Sequence, residues 1–449
     1  MNGLSGMNNN KKVQRDHWII ISVVALTIVM IVLRIFLNEK GRISPDSIRF
    51  MRFANVLPVI DNTTTPLGYP LILKFFSYFT FSEFWSSKIV GILSYLSMVC
   101  FAWKKNFYCR EVVLTGGLFS FVSIFAATLS ESFTLPFVFL LLYVSQGVIH
   151  QKYNFRKGTL LLTLALLAIF NVRYSGLFIM GASFLFGVLS LKKSYGKQFI
   201  ISSLIGFIFI VLYKFLFIDT FNETYLDGAL EIAYYPTSKL IPEFFTGIAT
   251  SFNPFIHMTD PGGSMLNIGI YGIGAFTVLV LIYFMIKKRV TKHEMFFIIT
   301  GVSGILCSFF IQYFYVVDPI NYRLISIFTL PLWLFFFSKI KPILGMKTYL
   351  ITFLSMGVGV AFMWMARGNY LENRAEAVRY LKVENLEETP LLFYAENYDD
   401  GEAIDLAELF STVQSNLTLT FKKEDTLRQN TLTKHKVLQK ITLDENKYR

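Results

Sequence analysis

The chain has 449 residues, of which 54% are hydrophobic and 16% charged, and its formal net charge is +12. A soluble protein of this size normally contains about 25% charged residues, whereas here 47 Phe and 23 Tyr recur in apolar runs of membrane-spanning length. This composition excludes a soluble protein built around one large core and predicts an all-α polytopic membrane protein.

The apolar runs predict about eleven transmembrane helices, each judged by the need for roughly 20 apolar residues. One run, 158–191, permits either a single long helix or two short ones. Basic clusters at both of its ends favour a hairpin that turns near Asn171. The predicted spans cover residues 18–37, 82–103, 112–130, 133–150, 158–171, 174–191, 198–218, 266–286, 294–316, 324–339 and 348–366.

Basic residues precede the first predicted span and then follow every second one, which indicates that these connections are cytoplasmic. This pattern accounts for the net charge without a nucleic-acid partner, and we expect none. It places segment 1–17 in the cytoplasm, the membrane domain at 18–366 and the tail 367–449 outside the inner (cytoplasmic) membrane. The basic residues are Lys11, Lys12, Arg15, Lys104, Lys105, Arg110, Lys152, Arg156, Lys157, Lys192, Lys193, Lys197, Lys287, Lys288, Arg289, Lys292, Lys339, Lys341 and Lys347.

The tail 367–449 is polar and mixed in charge, with a strand-like piece at 391–394 and a helix-like piece at 403–409. It is predicted to be either a small polar domain or a partly disordered segment. Cys100, Cys109 and Cys307 have no motif spacing, so neither a disulfide framework nor a zinc site is indicated. No pair of acidic residues has the spacing of metal ligands either, and we expect neither a metal nor a cofactor.

The first predicted outer loop, GRISPDSIRFMRFANVLPVIDNTTTPLGYP (41–70), is polar although it directly follows an apolar span. Within it, PDSIRFMRFA begins with a proline and an acid and carries Ile48, Met51 and Phe53 on an apolar side. This pattern predicts an interfacial helix at 45–55 that lies on the membrane. Asp46 at its start either caps the helix or takes part in chemistry.

Further ionisable residues lie at the predicted outer ends of the spans. Their positions are informative, because placing a charged side chain near the membrane interior costs free energy. Lys88 lies near the end of the second span, Glu131 and Arg173 lie at turns between spans, and Arg323 precedes the tenth span. Transporters more often place polar sites at the membrane midplane, in broken helices of related halves. Polar groups at the headgroup level instead favour an enzyme that acts on a lipid-linked substrate.

The stretch SPDSIRFMRFA, followed by TPLGYPLILKFF, resembles the first outer loop of the C-type glycosyltransferase superfamily. It is most similar to bacterial relatives of the protein O-mannosyltransferases and of the lipid A aminoarabinose transferase. Three later segments resemble motifs of the same family, so that the resemblance covers about residues 18–366. It departs from the family at Ser47, where many relatives have a second acid, and at Phe50, where tyrosine is usual. The later segments are LSESFTLPFVFLLLY (129–143), NVRYSGLFIM (171–180) and DPINYRLISIFTLPLWL (318–334).

The resemblance implies an inverting enzyme that moves a hexosyl or pentosyl group from a polyprenyl-phosphate-linked donor to a lipid, glycan or protein acceptor. The reaction would take place at the outer face of the membrane, among membrane lipids. A carboxylate suits deprotonation of the acceptor hydroxyl, and an arginine suits the charge that develops on the leaving phosphate. The implied roles are base for Asp46, phosphate contact for Arg173, Arg323 and Lys88, and hydroxyl contact for Glu131 and Asp61.

Three other functions remain open from the sequence. A polysaccharide polymerase or ligase is also polytopic with outward arginines, but it would need a large outer loop near the chain's end. The longest predicted outer loop here is 219–264. A transporter or flippase of lipid-linked glycans and a non-catalytic membrane scaffold are the other two.

Overall fold

The computed structural model of the chain describes residues 3–60, 64–79, 81–223, 236–259, 263, 265–314 and 320–444. Asp61, one of the predicted substrate-binding residues, lies outside these ranges. The described part is mostly helical, with one small sheet in the C-terminal tail. The prediction of an all-α polytopic membrane protein is confirmed at this level by several long apolar helices.

The described residues up to Tyr213 form ten helices. They are α1 (Gly3–Phe36), α2 (Pro45–Val56), α3 (Gly68–Ser77), α4 (Glu83–Lys105), α5 (Cys109–Gly116), α6 (Phe119–Ala126), α7 (Ser130–Ile149), α8 (Phe155–Val172), α9 (Gly176–Leu189) and α10 (Ser194–Tyr213). A π-helical segment, Lys214–Ile218, then continues α10.

The second half of the membrane region is also helical in its described residues. Its helices are α11 (Asp219–Phe221), α12 (Thr237–Ser251), α13 (Met265–Lys287), α14 (Lys292–Phe314), α15 (Ser326–Leu344) and α16 (Thr348–Met365). A 3₁₀ turn, Gly345–Lys347, joins the last two, and Gly345 has a positive φ there.

Helix α4 illustrates how local sequence sets the helix bounds. The hydroxyl of Ser82 accepts the N–H of Trp85 at the start of the helix, where Glu83 also lies. Lys104 lies in the last turn, and Asn106 ends the helix in the left-handed conformation. A short polar N-cap, an acid at the positive end and a cation at the negative end each stabilise a helix.

Eight helical segments in the described ranges are long and apolar enough to cross a membrane, or nine if one bent pair is counted. Seven of them match the predicted spans that begin at 18, 82, 133, 158, 198, 266 and 294. The segment 326–365 counts once although it covers two predicted spans, and α9 is shorter than the criterion. The exact number of spans therefore stays a prediction. Arg173–Ser175 separates α8 from α9, so 158–191 is not one unbroken helix.

The predicted span 112–130 is a broken helix, because α5 and α6 meet at an angle of 77°. At the break, the N–H of Phe119 donates to Ser355 Oγ at 2.9 Å. The hydroxyl of Thr352 donates to the carbonyl of Leu114 at 3.1 Å. Side chains of α16 thus satisfy backbone groups near the break, as irregular backbone in a membrane region requires.

Helix α7 is the most enclosed of the long apolar helices. About two thirds of its apolar stretch is buried (67%), against 22% for the segment that contains α10 and 28% for α13. The exposed apolar side chains of α10 and α13 suit contact with lipid. Residues in the first turn of α7 therefore lie inside the helix assembly.

Helix α2 confirms the helix predicted at 45–55, but protein covers its apolar side chains. Ile48 and Met51 belong to a buried cluster shared with the C-terminal tail. Phe50 packs edge-on against Tyr69 of α3, with ring centroids 5.2 Å apart. Packing on two sides therefore fixes the orientation of α2.

The tail contains a three-stranded parallel sheet, in which β1 (Leu391–Tyr394) lies between β2 (Leu417–Thr420) and β3 (Thr431–Thr433). The strand-like piece at 391–394 is β1, and the helix-like piece at 403–409 lies within a tail helix. Phe393 and Phe410 are fully buried between sheet and helices. The tail elements are α17 (Tyr370–Val383), β1 (Leu391–Tyr394), α18 (Gly401–Ser411), β2 (Leu417–Thr420), β3 (Thr431–Thr433) and α19 (Lys434–Leu438).

The packing of the tail can be tested at Phe410, whose ring contacts Tyr380 and Phe393. We expect Phe410→Ala to destabilise the tail by about 3–5 kcal/mol, because it leaves a cavity in a closed core. Leu427, which is 89% exposed, provides the control, since Leu427→Ala should change stability by no more than about 0.5 kcal/mol. Thermal unfolding and limited proteolysis of the two purified variants measure the difference. Equal stability of the two would contradict the packing described here.

The predicted orientation can be tested with single cysteines in a chain whose three native cysteines are replaced by Ser. Val59 and Tyr398 are 68% and 80% exposed, and both lie in predicted outer segments, whereas Lys152 lies in a predicted cytoplasmic one. We expect a membrane-impermeant thiol reagent to label positions 59 and 398 in intact cells, and to label position 152 only after the membrane is opened. Labelling of 59 and 398 from opposite sides would disprove the orientation.

Candidate functional site

Glu131 lies at the centre of an ion-pair network. It occupies the first turn of α7, and its side chain is fully buried. Oε1 accepts Nε of Arg323 at 3.0 Å, and Oε2 lies 3.1 Å from Nη1 of Arg173. A carboxylate that moves from water into a protein interior destabilises the fold unless charged partners replace the lost water. Two arginines provide that replacement here.

Asp46 joins the same network from α2. One of its oxygens pairs with Arg323 and the other with Arg49. Ser44 and Ser47 form the capping box of this helix, and Ser47 Oγ accepts the N–H of Ser44 at 2.9 Å. Asp46 is therefore not the N-cap residue, and both of its oxygens contact guanidinium groups.

The two network arginines are held in position by short-range contacts. Both backbone N–H groups of Arg323 and Leu324 donate to Asn321 Oδ1, at 3.0 and 3.1 Å. Arg173 follows the last turn of α8, and its Nε donates to Ser175 Oγ at 3.0 Å. Because each arginine extends from a turn fixed by local hydrogen bonds, its guanidinium reaches the network in a defined geometry.

The network sets the charge state of Asp46. Burial raises the pKa of this carboxyl, but Arg323 and Arg49 lower it more, so the net pKa lies below the ordinary value. Burial lowers the pKa of Arg323, and Glu131 and Asp46 raise it more. Asp46 is thus ionised at neutral pH. Its ion pairs stabilise the fold fully above the ordinary carboxyl pKa and are lost only as pH falls through the lowered one.

The structure brings four of the six predicted site residues into contact: Asp46, Glu131, Arg173 and Arg323. They come from α2, from the start of α7, from the end of α8 and from the turn before α15. Together with Arg49, the network has three cations and two anions. It therefore carries one surplus positive charge.

Lys88 does not join this network. Its ammonium donates to the carbonyl of Ala126 at 3.0 Å, to Thr128 Oγ1 at 2.9 Å and to the carbonyl of Arg42 at 3.3 Å. It lies 4.7 Å from the ring centre of Phe84. A cation at the C-terminal end of a helix stabilises its free carbonyls, so Lys88 anchors the end of α6 and the loop before α2.

A cavity of about 430 Å³ lies beside the network and is bordered by Arg323. Its volume is within the usual range for ligand pockets. Apart from Arg323, sequence reasoning missed the groups that line the cavity, and it missed the buried Arg34 and the half-buried Arg42 nearby. The position of Arg34, a cation at the end of an apolar span, is a signal that could have indicated this region. The other lining residues are Glu243, Thr246, Gly247, Thr250, His257, Met258, Thr259, Tyr271, Ile320, Asn321 and Tyr322.

Within the ranges that the structure describes, no group of three or more His, Cys, Asp or Glu side chains is arranged to hold a metal ion. No protein-family model and no curated protein matches this chain. The resemblance to the C-type glycosyltransferases accordingly stays a prediction.

Replacement of Glu131 tests whether the ion-pair network stabilises the fold. Glu131→Gln keeps the shape of the side chain but leaves two guanidiniums facing a neutral group. We expect a loss of about 3–5 kcal/mol in the free energy of unfolding, as for other broken buried pairs, measured by thermal unfolding in detergent. Glu376, which pairs with Arg379 on the surface, is the control, and Glu376→Gln should change stability by less than about 1 kcal/mol. A Glu131→Gln protein as stable as the control would show that the network is not needed for folding.

Proposed function

We propose that this protein is a membrane glycosyltransferase that uses a polyprenyl-phosphate-linked sugar. It would transfer a hexosyl or pentosyl group to a hydroxyl of a lipid, glycan or protein acceptor at the outer face of the cytoplasmic membrane. The observation that carries the proposal is the contact between Asp46 and Arg323 at the edge of a cavity. The sequence resemblance supports the same reaction.

In the proposed reaction, the acceptor oxygen attacks the anomeric carbon of the sugar from the side opposite the phosphate. The new carbon–oxygen bond forms as the bond to the phosphate oxygen breaks, so the configuration inverts. Asp46 takes the proton of the attacking hydroxyl, as a general base does. The lipid phosphate leaves with the bonding electrons.

Asp46 needs one free oxygen to accept that proton. Of its two partners, Arg49 has a side chain that is 55% exposed, whereas the side chain of Arg323 is 19% exposed. An exposed ion pair contributes little free energy and exchanges readily with water. We therefore expect the oxygen that faces Arg49 to meet the acceptor, while Arg323 keeps the carboxylate in place.

In the proposed reaction, Arg323 and Arg173 contact the donor phosphate. A guanidinium donates two parallel hydrogen bonds to an oxyanion, and Arg323 borders the cavity. Glu131 acts as a positioning residue, since it holds both arginines from the protein side. The roles of Asp61 and Lys88 in binding substrate stay predictions from the sequence.

The direct test incubates purified protein in sealed lipid vesicles with polyprenyl-phosphate sugars and membrane lipids. Mass spectrometry then detects a glycosylated acceptor and the free polyprenyl phosphate. Both products should increase together with protein concentration. A protein that moves the donor across the bilayer without breaking its sugar–phosphate bond would be a flippase, and that result would disprove the proposal.

Asp46→Asn tests the general base, because the change removes the proton acceptor while Asn keeps the size of the side chain. We expect normal folding and a rate of transfer that is lower by roughly 10²–10⁴-fold. Asp219 is a matched control, since it also forms an ion pair, with Lys214 at 2.7 Å, but lies away from the network. Transfer rates per folded protein decide the question. An Asp46→Asn variant as fast as Asp219→Asn would remove Asp46 from the mechanism.

Substitution of Arg323 tests the phosphate contact. We expect Arg323→Ala to lower kcat/KM for the donor by an amount equivalent to about 2–4 kcal/mol. Arg323→Lys should restore only part of it, because lysine lacks the two-pronged geometry. The two variants are compared at equal folded fraction, established by thermal unfolding. Equal donor kinetics for wild type and Arg323→Ala would rule out this role.

A further inference from the structure

A second group of cations, Arg34 and Arg42, lies beside the cavity, and no carboxylate in the described ranges forms an ion pair with it. Arg34, in the last turn of α1, is 6% exposed. Its Nη2 lies 3.5 Å from the sulfur of Met258, and its guanidinium lies 4.7 Å from the ring centre of Phe119. Nε is buried without a hydrogen-bond partner. None of the carboxylates in the described ranges forms an ion pair with Arg34.

Arg42 is placed similarly. Its Nη2 lies 3.4 Å from the hydroxyl of Tyr322, its Nε is buried without a hydrogen-bond partner, and no described carboxylate pairs with it. The residue has a positive φ of 59°, a backbone conformation that is uncommon for residues other than Gly, Asn or Asp. The surrounding structure therefore holds Arg42 in a conformation that it would not adopt freely.

His257 provides a neutral polar group in the same place. It is 4% exposed, and neither ring nitrogen has a hydrogen-bond partner. Its ring lies between Phe119 and Tyr322, at centroid distances of 4.8 and 4.0 Å. Burial, together with the nearby charges of Arg34 and Arg42, lowers its pKa well below the ordinary value. A neutral imidazole offers one N–H donor and one acceptor.

This cluster differs from the Glu131 network in its charge balance. Arg42 lies close enough to Arg34 and Lys88 to repel positive charge at each. Glu39 attracts Arg34, and Glu243 lines the cavity, where it accepts Nε2 of Gln312 at 3.2 Å. Neither carboxylate forms an ion pair with the two arginines. Buried charges that lack a partner destabilise a protein, so a bound anion would offset a cost that the fold already carries.

We propose that Arg34, Arg42 and His257 form a binding site for a phosphate-bearing anion at the wall of the cavity. Guanidinium groups bind phosphate oxygens through paired hydrogen bonds, and a neutral histidine adds one donor. His257, Met258 and Tyr322 line the cavity, so an anion placed there reaches the cluster. The assignment of that phosphate to a sugar donor rests on the proposed function, whereas binding itself does not.

Binding is measured with the purified full-length protein in detergent, using inorganic phosphate, a polyprenyl monophosphate and the matching polyprenyl alcohol as probes. We expect the polyprenyl monophosphate to bind and to raise the melting temperature, and the alcohol to do neither. Tight binding of inorganic phosphate as well would identify a site for small anions. Failure of both phosphate probes to bind would overturn the proposal.

Variants locate the site. Arg34→Gln and Arg42→Gln should each weaken binding of the phosphate probe by about tenfold or more, as expected for loss of a charged hydrogen bond. Arg367, an exposed arginine that contacts Trp364, is the control, and Arg367→Gln should bind like the wild type. Unchanged affinity in both cluster variants would disprove the assignment.

Stability without ligand distinguishes binding from a structural role. If Arg34 is kept for a ligand, Arg34→Met should leave the melting temperature of the ligand-free protein unchanged or raise it, because it removes an unpaired buried charge. A lower melting temperature together with unchanged affinity would show a structural role and overturn the proposal. A protein that binds the phosphate probe but transfers no sugar would keep this site and disprove the proposed function.

Discussion

The structure depends most on one constraint, the burial of the Glu131 carboxyl group between two arginines. Such a group destabilises the fold unless cationic partners surround it, and Arg173 and Arg323 fill that role. Arg323 in turn binds Asp46, which lies 277 positions earlier in the chain. A single buried charge thus joins the start of α7, the end of α8, the turn before α15 and the N-terminal end of α2.

Helix α2 connects the Glu131 network to the C-terminal tail. Asp46 faces the network, while Ile48 and Met51 pack into the tail core. Arg52 contacts Thr418 of β2, and the loop before α2 contributes Lys40, which pairs with Asp405 and Glu408. The position of the proposed base is therefore set by the membrane region on one side and by the tail on the other.

Two groups of arginines lie close to the cavity and differ in how their charge is balanced. In the Glu131 network, each guanidinium pairs with a carboxylate, which fixes its geometry. Beside it, Arg34 and Arg42 retain donors without a partner in the described structure. The first arrangement holds in place the guanidiniums that we propose contact the donor phosphate, and the second is typical of a place where a ligand completes the hydrogen bonding. A lipid-linked phosphate sugar carries the phosphate oxygens that both groups of arginines can bind.

The amino-acid sequence was enough to predict the class of protein, most of the long apolar helices, the bounds of α2 and four of the residues that meet at the site. These features follow from hydropathy, capping residues and charge position, which act over a few neighbouring residues. The tertiary structure was needed to show that α5 and α6 form a broken helix and that Ser44 rather than Asp46 caps α2. It was also needed to show that Lys88 binds carbonyl groups, and that Nε of Arg34 and Nε of Arg42 have no hydrogen-bond partner among the described residues. Hydrogen bonds and ion pairs between distant segments depend on which surfaces pack together, and local sequence does not specify that.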